Sequence, residues 1–508
     1  MAPFTMKPQC QFAALAAAGA IVFSGCASHP KKLMQIKTDI AMPGYTVNTN
    51  AVPFRPKDVN GEDKILFLAE RARAYQLTGD IDKSTEDYLA AEAAYDALDD
   101  RPVVSISTTV EKGVKGLVAN DTALPYDGNA HERLMLYQLD AFNHLARCDW
   151  NSTRAAANNI VYLSEKVRAR HEEEVKVAEE TAQKDGRFKL SQLTSNAAFK
   201  SSYAASDSVT KTLTDAMQNG YAYYFGAFVR EVDGDFSGAL LGYRRAAELA
   251  PANVFVKRDI ARMEARLGRS SEGAAQPAAL EEPNVVVFFE EGFAPQLESF
   301  TLSFATIPVG KHESVGGGGV VAGGKGGVAA VPLPTSMPLT IKFALPYYPQ
   351  EQLSVPSHPL VVSEGEKGVV AETQMVGDFR ALAARAFQER LPYIATRAAF
   401  RAIAKATAAA IANNAVKDRS GLTRLAVMAG GLLLTQATEF ADLRTWLLAP
   451  RFGHVARFRA TPGEHKMTFQ HDGNSMTVLA DVPEDGSLVF HVVSIPGKLV
   501  VDGTAIDL

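Results

Sequence analysis

Cysteine and tryptophan are scarce in this chain, with three and two among 508 residues, and neither sign of charge dominates. Each shortage excludes something. Cys10 and Cys26 fall in a leader-like region at the start, so Cys148 is the only cysteine left for the body. A disulfide-stapled fold and a zinc site built on several cysteines are therefore ruled out. Cys148 lies in LARCDW, between two helical patterns, and reads as a small packed residue, because free cysteine is commonly buried. The 52 Lys and Arg against 57 Asp and Glu leave a net charge of −5, without the basic face that a nucleic-acid partner needs.

Signatures of chemistry are missing as well. There is no HExxH and no GxSxG elbow. The ten histidines are scattered; His465 and His471, with Asp472 adjacent, sit on a hairpin and read as exposed turn and strand residues. Gly319 to Gly326 begins like a P-loop, but Gly326 stands where Ser or Thr must hold Mg²⁺, and prolines follow in place of a helix. No metal, nucleotide or other cofactor is expected. Acidic pairs such as Asp99-Asp100 and Glu290-Glu291 occur, but sequence cannot set two carboxylates across a cleft.

What is present begins at the first residue. Lys7 supplies a weakly positive start, and Phe12 to Phe23 is an apolar run. That run is too short to span a bilayer, which needs about 20 residues, and fits a signal peptide. Phe23-Ser24-Gly25-Cys26 then resembles the lipobox of bacterial lipoproteins, in which the cysteine is acylated before cleavage in front of it. Several acyl chains anchor stably, each buried methylene being worth about 0.8 kcal/mol. Ala27, not Asp, follows the cysteine, which by resemblance to enterobacterial sorting points to the outer membrane, periplasmic face.

Composition divides the rest. Residues 1–25 are the signal and 26–60, with Pro30, Pro43, Pro53 and Pro56, an extended lipidated tether. Residues 61–270 are helical. Tyr221 to Asn253 matches the small/large pattern of a tetratricopeptide repeat at Tyr223, Ala227, Gly234, Ala239, Tyr243, Ala246 and Pro251. Lys64 to Leu98 and His131 to Leu163 are two further units, out of the strict spacing of about 34 residues. A charged stretch at 165–200 reads as a solvated helix or helix extension. Residues 271–282 are a linker. A β-rich region at 283–376 follows, with Val285–Phe289 as its strongest strand and a glycine loop at Gly316–Gly327. Residues 377–450 return to helix, and Leu422–Ala437, interrupted by Arg424 and Gly430-Gly431, suits a buried helix better than a span. Residues 451–508 hold five short strands with Asp472-Gly473 and Asp485-Gly486 among their turns. So small a module packs on the preceding helices or completes the first β-region.

The segments Tyr126–Leu134 (YDGNAHERL), Ala384–Pro392 (ARAFQERLP), Ala441–Trp446 (ADLRTW) and Ala460–His465 (ATPGEH) resemble a family of uncharacterised bacterial lipoproteins with this order of parts. The resemblance implies no known activity. It implies gene neighbours like activators of penicillin-binding proteins, and so a role in peptidoglycan or envelope assembly. Asp442, Arg444 and Trp446 read as a buried salt bridge and an anchor, and His131-Glu132-Arg133 as a helix cap and surface face.

The expected fold is α+β: an irregular tetratricopeptide-like helical array, a mixed β/α region and a small C-terminal β-sandwich-like module. The expected function is non-catalytic, a lipid-anchored scaffold that offers a groove to an envelope protein of unknown identity. Arg71, Tyr75, Tyr137, Asp140, Tyr224 and Arg230 are its groove candidates. The rivals are an accessory lipoprotein of an export or surface-structure machine, and a peptidoglycan- or glycan-active enzyme with a deep polar cleft.

Overall fold

Five successive β-branched or aromatic residues, Val285–Phe289, have no polar side chain to give to water on either face. In the computed structural model they lie in β1 (Val285–Glu291), in which every residue is buried. The structure describes residues 29–100, 125–185, 188–269, 282–305, 320–321, 330–331, 340–415 and 440–506. The signal and Cys26, nearly all of the linker and the glycine loop, and Leu422–Ala437 lie outside these residues.

The other labelled strands are β2 (Glu298–Ala305), β3 (Thr340–Tyr347), β4 (Val361–Glu364), β5 (Gly368–Glu372), β6 (Gln374–Asp378), β7 (Phe452–Phe458), β8 (Gly463–His471), β9 (Asn474–Val482), β10 (Ser487–Ile495) and β11 (Lys498–Ile506). β1 runs parallel to β10 and antiparallel to β7, inside a sheet of order β11-β10-β1-β7-β6. A second sheet has the order β9-β8-β4-β5, and β2 pairs with β3 apart from both. All five expected C-terminal strands are present, but they form no unit of their own. β7, β10 and β11 close around β1, while β8 and β9 join β4 and β5.

The helices are α1 (His29–Asp39), α2 (Lys64–Thr78), α3 (Ile81–Asp99), α4 (Ala130–Ala146), α5 (Trp150–Asp185), α6 (Ala197–Val209), α7 (Gly220–Val232), α8 (Phe236–Leu249), α9 (Val254–Arg266) and α10 (Phe379–Ala415), besides short turns. Three hairpins, α2/α3, α4/α5 and α7/α8, fall where the three units were expected. Gly79 and Gly234 turn the first and third at φ 85° and 78°, backbone that glycine adopts at no steric cost. Cys148 takes the equivalent place in the second at φ 56° and is exposed, which corrects its reading as a packed residue. Within α7/α8 a side chain on Gly242 would come within 2.8 Å of the Ala227 Cβ, so small residues do set the helix spacing. The charged stretch carries α5 on to Asp185.

Side chains alternate across a strand, and β1 uses both faces. Phe288 meets Phe142 of α4 and Tyr221, Tyr224, Phe225 and Phe228 of α7 at centroid distances of 5.3–6.0 Å. Phe289, one residue on, meets His454 of β7 and His471 of β8. The order of layers is thus helices, five-stranded sheet, four-stranded sheet. A second core joins α6, α10, β2 and β3, where the Tyr203 hydroxyl donates to the Pro346 carbonyl at 2.6 Å.

The supposed tether is folded over its described part. Leu33, Ile36 and Ile40 recur at helical spacing and bury with Phe54 against Ala74, Leu77, Phe293, Leu447, Leu448, Val493 and Ile495. Of the prolines that suggested an extended chain, Pro30 sits in the first turn of α1, Pro43 and Pro53 lie between these contacts, and Pro56 opens a short helix, where its missing N–H costs nothing.

Candidate functional site

The groove candidates are mostly spent on the interior. Arg71 of α2 grips Asp87 of α3 with two bonds of 2.6 Å and reaches the Phe54 carbonyl at 3.3 Å. Tyr75, Tyr137, Asp140 and Tyr224 are all buried. Tyr137 lies beside Glu92, Asp96 and Arg133, and burial pushes its hydroxyl above the usual tyrosine range. Asp140 holds the His144 Nε2 at 3.0 Å, and the Tyr224 hydroxyl donates to Asp259 at 2.5 Å beneath β1. Arg71 and Arg230 retain partial exposure, Arg230 lying 3.4 Å from the Asn158 side chain. The sheet occupies the side on which Tyr224 was expected to face a partner, so these six residues do not make a common groove.

Other expectations sort differently. Arg444 does pair with Asp442, and with Asp63 too, and Trp446 is buried edge-on to Tyr88. Glu132 completes a capping box with Asn129, as a cap should, yet His131, Glu132 and Arg133 are buried and not a surface face. Glu132 also accepts from the Thr445 hydroxyl and the Trp446 N–H, both at 2.8 Å, which fastens 441–449 to α4.

The acidic pair at the end of β1 serves two layers. Glu290 faces the helices and lies between Arg73 at 2.6 Å and His491 at 3.0 Å. Burial works to raise its carboxyl, but Arg73 and His491 outweigh that and hold it below the ordinary glutamate range. Glu291 faces the second sheet, where three segments converge on it. The Ser357 hydroxyl donates to its Oε2 at 2.7 Å, and the His358 N–H approaches both oxygens at 3.1 and 3.2 Å. His454 Nε2 stands 3.3 Å from Oε2, and His471 Nε2 stands 3.6 Å from Oε1. On the solvent side His358 Nδ1 is 3.3 Å from Asp472 Oδ1. His471 Nδ1 contacts the Ser494 hydroxyl at 2.8 Å.

Local sequence explains the convergence. His471 ends β8, and Asp472 and Gly473 turn the hairpin at φ 44° and 78°, the Asp-Gly geometry that suits a two-residue connection. His454 lies opposite Phe289 in the β1–β7 ladder and so shares the face that looks toward β8. His471 is buried, which corrects its reading as an exposed hairpin residue; His465 sits apart, with Nδ1 2.8 Å from Glu364.

Burial tends to raise the Glu291 carboxyl, but the His454 and His471 rings, Ser357 and the His358 N–H prevail and hold it well below the usual range. Burial lowers His454, against the pull of Glu291, so the neutral imidazole is favoured there. The set is not a nucleophile triad. Ser357 Oγ is 2.8 Å from His454 Nε2, but Glu291 approaches that same nitrogen, while His454 Nδ1, where an orienting acid belongs, has no hydrogen-bond partner. One ligand atom each from Glu291, His358 and Asp472 lies within 4.8 Å of the others, a spacing compatible with a shared ion.

Sequence reasoning singled out His471 with Asp472 adjacent, and Glu291 apart from them beside Glu290, and missed Ser357, His358, His454 and Ser494. No spacing joins positions so far apart in the chain. Against protein-family models, curated proteins and solved structures, nothing matches this chain.

Proposed function

We propose that this protein is a lipid-anchored envelope scaffold, held by acyl chains on Cys26, that binds a protein partner and catalyses no reaction. The observation that carries the reading is the docking of α1. This helix begins at His29, three residues after Cys26, and buries Leu33 and Ile36 against the body. With so short a connection, acylation at Cys26 sets the folded body against the membrane surface in a limited range of orientations. The helical hairpins, read as tetratricopeptide-like pairs, then act as a platform behind the sheets. The resemblance in the sequence segments adds envelope assembly as the pathway.

Partner contact moves from the buried tyrosines to an open groove of about 430 Å³. Its walls are Ala41–Tyr45, Thr78, Asn474–Met476 and Gly497–Leu499. Met42 and Met476 are 52% and 37% exposed there, and flexible apolar side chains suit a protein contact.

The test has two arms. Membrane fractionation with an incorporated fatty-acid probe should show label on the wild-type chain, and Cys26→Ser should lose the label and leave the membrane. Photo-crosslinking in living cells from position 42 or 476 should capture one envelope protein reproducibly. An unlabelled wild-type chain would overturn the anchor; glycan adducts or background lipoproteins alone would overturn the groove.

A further inference from the structure

We infer that Glu291, His358, His471 and Asp472 form a binding site for a divalent first-row metal ion, with zinc the best match. The donor set is two imidazoles and two carboxylates, which suits zinc and its neighbours better than calcium or magnesium. Ligands about 2.0–2.2 Å from a tetrahedral zinc stand about 3.4 Å from each other. Here Glu291, His358 and Asp472 each offer one atom within 4.8 Å of the others, with His358 Nδ1 3.3 Å from Asp472 Oδ1; His471 stands outside that trio, its Nε2 3.6 Å from Glu291 Oε1, and would close on the ion as the fourth ligand.

An independent observation points to a ligand. The His471 side chain is 3% exposed, and its Nε2 has no hydrogen-bond partner although it faces a carboxylate. A buried polar atom left without a partner costs free energy comparable to a lost hydrogen bond. The Ser494 hydroxyl at Nδ1 completes the pattern: Nδ1–H donated to Ser494 on ion binding would leave the Nε2 lone pair for the ion, in place of the Nε2 contact with Glu291. A second contact that fixes the tautomer of a ligating histidine is the usual support for one.

Ser357 and His454 do the same for Glu291. The serine hydroxyl donates to Oε2 and can accept from His454 Nε2–H, leaving Oε1 directed at His471. They are positioning residues. His358 and Asp472 have side chains 53% and 59% exposed, so an ion can enter from solvent and meet the buried pair behind them. The ion would tie β1 of the first sheet, the β8–β9 turn of the second and the segment before β4.

Zinc should be titrated into the full chain after chelator treatment, with calorimetry and thermal unfolding as readouts. One equivalent should bind saturably and raise Tm by a few degrees. His358→Ala and Asp472→Ala, being surface changes, keep the fold and should each weaken binding at least tenfold. Ser357→Ala, which leaves the ligands in place, should weaken it by about tenfold. Cobalt(II) in place of zinc should give a visible spectrum of a low-coordinate N/O site in wild type and lose it in both surface variants. Absence of saturable binding, or zinc affinity unchanged in both His358→Ala and Asp472→Ala, would overturn the site.

Discussion

Arg73 and Glu290 show what a single buried charge is for in this molecule. Each side chain is at most 1% exposed, so neither can turn to water if the other is lost. Removing one partner strands the other, at a cost of about 3–5 kcal/mol. Arg73→Met should lower the unfolding free energy by about that amount in a denaturant titration, whereas Arg230→Met, at a half-exposed site, should change it by less than about 1 kcal/mol. Glu92 makes the opposite case. Burial, reinforced by Asp140 and Asp96 and opposed by Arg133, raises its carboxyl to about 8, near the Tyr137 hydroxyl. Its Oε1 has no hydrogen-bond partner. A glutamate raised on folding binds its proton more tightly in the native state, so it costs nothing below the unfolded value of about 4.5. The penalty grows as pH rises from there toward 8. Glu92→Gln should therefore stabilise the protein near neutral pH, on the order of 1–3 kcal/mol, and make no difference near pH 4. Unfolding curves across that range would check both ends.

At the scale of elements, packing is decided where helices touch sheet. A side chain at Gly453 of β7 would come within 2.7 Å of the Tyr221 ring and 2.9 Å of Phe379. Both rings are buried and have little room to yield, so Gly453→Ala should cost at least about 1–3 kcal/mol, the usual range for overpacking. The docked N-terminal helix makes a comparable claim in reverse. Leu33 and Ile40 are fully buried against strands and loops from the far end of the chain. Leu33→Ala should lower stability by about 2–5 kcal/mol. A free tether would leave stability unaltered, so the same measurement separates a welded anchor from a loose one.

Over the whole molecule, chain order and spatial order part company. β1 comes 161 positions before its antiparallel neighbour's first paired residue, Phe452 against Glu291, and is flanked on its other edge by β10. Residues 452–506 therefore should not fold alone, and a chain ended at 451 would expose both edges of β1. Limited proteolysis should release no stable C-terminal fragment of that size, and a fragment that gave a cooperative unfolding transition would contradict the shared sheet. The parallel β1–β10 pair also makes folding depend on contacts distant in sequence, which are slow to form.

Local physics was readable without coordinates. The apolar run at Val285–Phe289 marked a strand, the Asp472-Gly473 turn marked a hairpin, and Gly234 marked a helix turn, because each signal rests on the residue's own backbone or side chain. The stripe of Leu33, Ile36 and Ile40 was equally present, but the prolines around it suggested an extended chain. What sequence could not reveal was which partner each element would choose. A tyrosine at helical spacing looks the same whether a protein partner or the protein's own sheet will cover it, and Tyr224 proved to lie under β1. The Glu291 cluster is of the same kind: its members sit at 291, 357–358, 454, 471–472 and 494, and no periodicity links them. The sequence by itself determined the elements, since these follow from propensity and local turns. Only the tertiary structure decided the strand order, the burial of the groove candidates and the meeting of Glu291 with its histidines, since these depend on contacts whose cost and gain arise only when distant segments close on one another.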